Sequence, residues 1–254
     1  MSLSFKSALI ATAMLGIASV ASAAEPVRNV VLVHGAFADG SGWRGVYDIL
    51  VKDGYHVSVA QIPLTSLADD VAATKRVLGR QDGPAILVGH SYGGVVITQA
   101  GVDPKVAGLV YVAAFAPDVG QSAFDQFAVA PPPATFMPEP APDGFLFLRA
   151  ETLRARFAAD LKPADADFLR DSQVPVLAAG LQTKVDAAAW KTRPSWYVVA
   201  TEDGAIDPKL ERHTAKRIGA TVTEVKGSHV VFASQPAAVA QVIEAAAKGP
   251  MPAR

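Results

Sequence analysis

Short, unbroken apolar runs alternate with amphipathic stretches along most of this chain, and that alternation restricts its fold more than any other feature. Val30-Val31-Leu32-Val33, Tyr55 to Ala60, Ala85-Ile86-Leu87-Val88, Leu109-Val110-Tyr111-Val112 and Trp196-Tyr197-Val198-Val199 have the length and continuity of strands buried on both faces. Thr221 to Val225 is a further run of weaker hydrophobicity. Amphipathic segments lie between most of them: Val46 to Lys52, Ala68 to Leu78, Val95 to Gly101 and Pro208 to Ile218. Pro236 to Ala247 follows the last strand, with proline at its first turn, a favoured helix start. Strands alternating with helices predict an α/β fold, a sheet of about six mostly parallel strands with helices on both faces. A chain of 254 residues suffices for one large domain of this kind, spanning residues 24–254.

Two regions break the rhythm. From about residue 117 to 193 no core strand is expected. That stretch holds Pro131-Pro132-Pro133, Pro138, Pro140 and Pro142, the phenylalanines 124, 127, 136, 145 and 147, and a helical segment around Glu151 to Ala159. It is too long for a plain loop and reads as an inserted lid, part helix and part proline-stiffened coil. A linker between two domains is the alternative, opposed by the resumption of sheet-like sequence at Trp196. The lid phenylalanines either bind an apolar substrate or pack the lid, and packing is the first expectation. The other irregular region is the start. Lys6, the uncharged apolar run Ala8 to Val20, and Ala21-Ser22-Ala23 form the pattern of a secretory signal peptide at residues 1–23. Cleavage after Ala23 would export the chain to the periplasm or the medium. The run falls short of the roughly 20 residues a membrane-spanning helix needs, so stable membrane insertion is not expected; an uncleaved anchor is the alternative.

Composition excludes several classes of function. The net charge is −1 and no Lys/Arg run is present, so nucleic acid is not an expected partner. The absence of cysteine removes disulfides, thiolate metal sites and a cysteine nucleophile together. Neither a G-x-x-x-x-G-K-[ST] loop nor an H-E-x-x-H motif occurs, and no metal or cofactor is expected.

The chemistry concentrates at Gly89-His90-Ser91-Tyr92-Gly93, a G-x-S-x-G motif between a predicted strand and a predicted helix. The turn it encodes is so tight that residues two away from the serine must lack bulk. It lifts the Ser91 hydroxyl clear of the backbone at a helix N-terminus, where N–H groups favour developing negative charge. A serine hydroxyl needs a base, and the base an orienting acid. With a serine of this type the chain order is Ser, acid, His. His34 and His56 precede Ser91, His90 adjoins it, and His213 sits within a predicted surface helix, which leaves His229 as the base. For the acid, Asp203 follows the fifth strand, while Asp207 looks like the N-cap of the next helix. Asp118, after the fourth strand, is a further candidate, and Glu202 a weaker one. The oxyanion requires two N–H donors. Tyr92, directly after the serine, and Ala36, in the loop after the first strand, are the expected pair, with His34 setting the loop's shape.

These segments resemble a known family. Val31-Leu32-Val33-His34-Gly35-Ala36, Trp43, Gly89 to Gly94, Thr201-Glu202-Asp203-Gly204-Ala205-Ile206 and Gly227-Ser228-His229 are similar to the α/β-hydrolase branch of plant methylesterases, hydroxynitrile lyases and bacterial esterase-like enzymes. The resemblance spans about residues 29–247 and is weakest across the lid. It implies the α/β-hydrolase fold, Asp203 as the acid, Ala36 and Tyr92 as oxyanion donors, and hydrolysis of a small-molecule carboxylic ester through an acyl-enzyme. The lyases of this branch usually carry lysine directly after the catalytic histidine; Val230 stands there in this chain, which opposes cyanohydrin cleavage. A non-hydrolytic use of the same triad and a ligand-binding protein on this scaffold are the alternatives.

Overall fold

In the computed structural model, which describes residues 27–249, the chain forms strands β1 (Asn29–Val33), β2 (His56–Ala60), β3 (Ala85–His90), β4 (Val106–Val112), β5 (Glu139–Pro140), β6 (Phe145–Phe147), β7 (Val176–Leu177), β8 (Ser195–Ala200) and β9 (Thr221–Val225). Six of them make one all-parallel sheet in the order β2-β1-β3-β4-β8-β9. This is the α/β-hydrolase fold. The signal peptide expected at residues 1–23 lies outside the described residues.

The apolar pattern follows each strand's place in the sheet. Every residue of β1, β3 and β4 is buried, because helices cover both faces of these inner strands. The edge strand β9 buries only Val225, which accounts for its weak hydrophobicity. β4 starts at Val106, ahead of the apolar run that begins at Leu109. The intervening Gly108 fits because a Cβ there would come 3.1 Å from the Trp196 ring and 3.3 Å from Ile86. Helix α1 (Arg44–Lys52) buries Val46 and Leu50 and packs against the closing helix Pro236–Lys248. Helix α2 (Leu67–Gly79) packs against α3 (Gly93–Ala100), whose buried residues include Val95, Val96 and Ile97. Each such aliphatic side chain, fully buried, contributes about 1.5–3 kcal/mol.

The strand order places the site. The chain runs from β1 outward to β2, then crosses back to β3 on the other side of β1. At such a reversal the loops after β1 and β3 separate at the carboxyl edge and leave a crevice between them. The loops after β8 and β9 open at the same edge.

Between β4 and β8 the chain leaves the sheet. β4 nonetheless pairs directly with β8, Leu109 opposite Ser195, so both halves share one sheet. The excursion contains the short helix Ala123–Gln126, closed by a capping box from Ser122 and Asp125, and a small antiparallel sheet in the order β5-β6-β7. The helical turn expected near Glu151 is a short α-helix, Ala150–Thr152, that widens into a π-type turn at Leu153–Phe157. The helix Pro163–Asp171 follows. Individual hydrogen bonds tie this segment down: Leu177 N–H to the Leu64 carbonyl (2.9 Å) and Trp190 Nε1–H to the Pro117 carbonyl (2.9 Å).

Candidate active site

Ser91 sits at the tip of the turn between β3 and α3 with φ of +52°, a conformation that costs a non-glycine residue on the order of 1–3 kcal/mol. The glycines around it answer to sterics. A Cβ at Gly89 would lie 2.5 Å from the Gly93 carbonyl oxygen, and one at Gly93 would lie 2.6 Å from the His34 carbonyl oxygen. The turn is stitched to the sheet by Ser91 N–H to the Val112 carbonyl (3.2 Å) and Phe115 N–H to the Ser91 carbonyl (3.2 Å). Helix α3 begins at Gly93, two residues before its apolar pattern, because Tyr92 already serves as its N-cap.

The loop after β1 crosses over this turn. Gly35 permits the approach, since a Cβ there would be 2.7 Å from the Ser91 Cβ. His34 holds the loop's shape. The Ile62 N–H donates to His34 Nε2 (3.0 Å), so the proton is on Nδ1, which donates to the Gly35 carbonyl (3.0 Å). Burial pushes the His34 imidazole below its ordinary value, which keeps it neutral. Among the described residues, neither the Ala36 nor the Tyr92 backbone N–H donates to another protein group, and both residues are buried beside Ser91. Tyr92 is locked by its side chain: its hydroxyl donates to Asp70 Oδ2 (3.1 Å), while Asp70 Oδ1 accepts the Leu64 N–H (2.7 Å). Burial lifts the Asp70 carboxyl to about 6 and raises the Tyr92 phenol.

His229 and Asp203 meet across the loops after β9 and β8. His229 Nδ1 donates to Asp203 Oδ2 at 2.6 Å, and both side chains are buried. Asp203 Oδ1 accepts the N–H groups of Ala205 (2.7 Å) and Ile206 (2.8 Å), so three donors face one carboxylate. The other acid candidates are engaged elsewhere. Asp207 caps the helix Pro208–Arg217 through the Lys209 N–H, Asp118 pairs with Lys191, and Glu202 faces Lys226. The Asp203 bond leaves Nε2 as the free edge of the His229 ring. Ser91 and His229 line the same cavity, and neither Ser91 Oγ nor His229 Nε2 is committed to another group among the described residues. No hydrogen bond joins the two; contacts between a nucleophile and its base commonly tighten as substrate seats.

Several supporting residues carry no signal in the sequence. His90 is too close in sequence to serve as base to Ser91, yet its Nε2 donates to the His229 carbonyl at 3.0 Å. Burial, with the neighbouring His229 next in weight, pushes the His90 imidazole well down and keeps it neutral. The His229 ring packs against both His90 and Phe157, each 4.7 Å away between ring centroids. The lid segment that supplies Phe157 also clamps the histidine loop. Asp160 accepts the Ser228 N–H (2.9 Å) and the Ser228 hydroxyl, and the Phe157 carbonyl accepts the Val230 N–H (3.2 Å). Burial opposes the charge on Asp160, but hydrogen-bonding groups, Ser228 first and Ser234 next, together outweigh it and hold this carboxyl below its ordinary value. These partners are far apart in sequence, so no local motif announces them.

The cavity and its mouth together hold about 820 Å³ of space between atoms, open solvent included. Its wall is aromatic: Phe37, Phe115, Phe124, Phe127, Phe136 and Phe157 all contribute. The expectation that the lid phenylalanines only pack the lid is therefore corrected for three of them, since 124, 127 and 136 reach the cavity while 145 and 147 do not. The small sheet turns the latter pair away, and Phe147 is exposed. Among the described residues, no Lys, Arg, Asp or Glu lines the space. Val230, in the position after His229, is buried and apolar.

The family model described as the alpha/beta hydrolase family matches residues 30–242. The chain belongs to that family. Within it, the chain is similar to a pyrethroid hydrolase from Sphingobium wenxiniae, 27% identical over 257 aligned residues that cover 88% of this chain and 89% of the relative. The crystal structure of a pyrethroid hydrolase from Sphingobium faniae aligns with a TM-score of 0.75 at 25% identity, covering 88% of this chain and 98% of that one. Polyneuridine aldehyde esterase shares the fold, with a TM-score of 0.75 at 18% identity over 85% of this chain and 98% of its own.

Proposed function

We propose that this protein is a serine hydrolase that cleaves small carboxylic esters, neutral and largely apolar, through an acyl-enzyme. The observation that carries the reading is the buried His229–Asp203 pair opening, beside the strained Ser91, into one aromatic cavity. Ser91 Oγ attacks the ester carbonyl while His229 Nε2 takes its proton. Asp203 holds the imidazole in the Nδ1–H tautomer and stabilises the imidazolium. The carbonyl oxygen becomes an oxyanion held by the N–H groups of Ala36 and Tyr92. Collapse expels the alcohol, which receives the proton from His229. Water, deprotonated by His229, then attacks the acyl-enzyme; collapse breaks the acyl bond to Ser91 Oγ, which takes the proton back from His229, and the carboxylic acid is released. No step calls for a metal or cofactor. The uncharged wall favours neutral substrates, because burying a charge there without a partner is costly. The naming of similar proteins as hydrolases and an esterase supports the same reading. The buried Val230, and the lack of a cation in the cavity, oppose a lyase.

The test is a panel of p-nitrophenyl esters of graded acyl length, run on the wild type and Ser91→Ala. Removing the serine is expected to lower kcat on the order of 10⁴-fold or more. Full turnover by the variant contradicts the proposal, and release of cyanide from mandelonitrile without ester cleavage favours the lyase instead. Residues 1–23 are read as an export signal, so the mature protein isolated from the periplasm or medium should begin at Ala24; an intact N-terminus there would oppose this.

A further inference from the structure

Glu211 has no part in the chemistry above, yet it is a second carboxyl buried beside the proposed triad acid. It lies in the helix Pro208–Arg217, whose other charged side chains reach solvent, and its own exposure is 0%. One oxygen, Oε2, accepts the Ala200 N–H at 3.0 Å. The carbonyl of the same Ala200 accepts the Asp203 N–H at 3.3 Å. A single residue at the end of β8 thus holds the Glu211 carboxyl and the Asp203 backbone together. The other oxygen, Oε1, is buried and receives no hydrogen bond from a donor among the described residues.

An ionised carboxylate in that position would need a cation or further donors. None faces it. Arg212, next on the helix, turns its guanidinium outward to Glu224, at 2.7 and 2.8 Å. The Tyr197 hydroxyl, on β8, is spent on the Ala114 carbonyl. Asp203 is the remaining titratable group facing Glu211. It already accepts three N–H donors, which marks it as the member that carries the charge, and a carboxylate has room for about four. Burial first, and the Asp203 charge second, push the Glu211 carboxyl far above the usual carboxylate range.

We propose that Glu211 is a positioning residue for the reaction, a neutral carboxylic acid whose Oε1–H is directed at Asp203, so that the triad's acid is a two-carboxyl pair with one negative charge. The proposal rests on Asp203 being that acid. The shared proton bridges the two carboxyls and keeps the Asp203 carboxylate turned toward His229.

Three readouts test it. Glu211→Gln preserves an acceptor for Ala200 and a donor toward Asp203. Its kcat/KM should stay within about 3-fold of wild type, with the acidic limb of the pH profile moved by less than about 0.3 units. Glu211→Leu removes the donor, leaves Asp203 more basic and the His229 imidazolium better stabilised. Its kcat should fall about 10- to 100-fold at nearly constant KM, with the acidic limb moved to higher pH. Infrared spectra at neutral pH should show a protonated-carboxyl band that both variants lose and that Asp70→Asn keeps. The infrared readout needs neither turnover nor a foldable leucine variant. An enzyme with the band but no esterase activity would sink the proposed function and leave Glu211 protonated. Absence of a Glu211-dependent band overturns the inference. So does a shift of the acidic limb to lower pH by a unit or more in Glu211→Gln, because that variant would then have lost a charge. Equal damage by Gln and Leu with no pH change also overturns it, by showing a merely structural role.

Discussion

The sheet and the lid enclose the same cavity, but they are held together by different means. Inner strands such as β3 and β4 are buried along their whole length and are fixed by continuous ladders and apolar packing. The lid has strands of two or three residues, proline-stiffened coil and short helices, pinned by single hydrogen bonds such as Leu177 to Leu64. The residues proposed for bond making, Ser91, Asp203 and His229, all hang from sheet loops. The lid supplies aromatic wall and, through Phe157 and Asp160, the brace for the histidine loop. Precision comes from the rigid layer, and substrate shape from the part that can vary.

That contrast can be broken at graded points. His229→Ala, on the sheet side, should lower kcat on the order of 10⁴-fold with little change in KM, measured by steady-state ester hydrolysis. Asp160→Ala, on the lid side, leaves the buried Ser228 N–H unpaired and the Ser228 hydroxyl with only the Phe157 carbonyl. It should cost about 1–3 kcal/mol in urea unfolding and lower kcat about 10- to 100-fold. A lid that only covers the site would show no loss of kcat. Phe136→Ala trims the wall away from the reacting atoms. It should raise KM for long-chain or aromatic esters about 10-fold and leave acetate esters nearly unchanged, so equal effects on both would deny the wall its selectivity.

The smallest effect concerns Asp70, beneath Tyr92. Its carboxyl is raised to about 6 in the fold, so the folded state holds this proton over a range where the unfolded chain has released it. The resulting destabilisation is absent below about pH 4, grows as pH rises toward 6, and is full above. The stability of Asp70→Asn relative to wild type should therefore improve by up to about 3 kcal/mol between pH 4 and pH 7.5. A difference that is flat with pH would mean that Asp70 does not titrate in this window.

The contrast between the two layers also governs what could be read from residues alone. Buried parallel strands leave long apolar runs, so β1, β3, β4 and β8 are visible in the sequence, and the G-x-S-x-G turn is local enough to name Ser91. Asp203 and His229 follow strands in a known chain order. His90, Asp160 and Glu211 act through partners that the fold alone brings near, as when His90 reaches the carbonyl of His229. The lid phenylalanines are ambiguous in the sequence for the same reason. Whether a ring faces a cavity or a neighbour depends on the path of the coil, which composition does not encode; the structure sends Phe136 inward and leaves Phe147 exposed.

Rapid-quench trapping during turnover of a p-nitrophenyl ester, followed by peptide mass mapping, tests the central claim most directly. The acyl group should appear on the peptide carrying Ser91, at a site defined by fragmentation, and should be absent from His229→Ala over the same interval. Steady release of both products with no adduct at Ser91, or with the acyl group on another residue, would contradict the account.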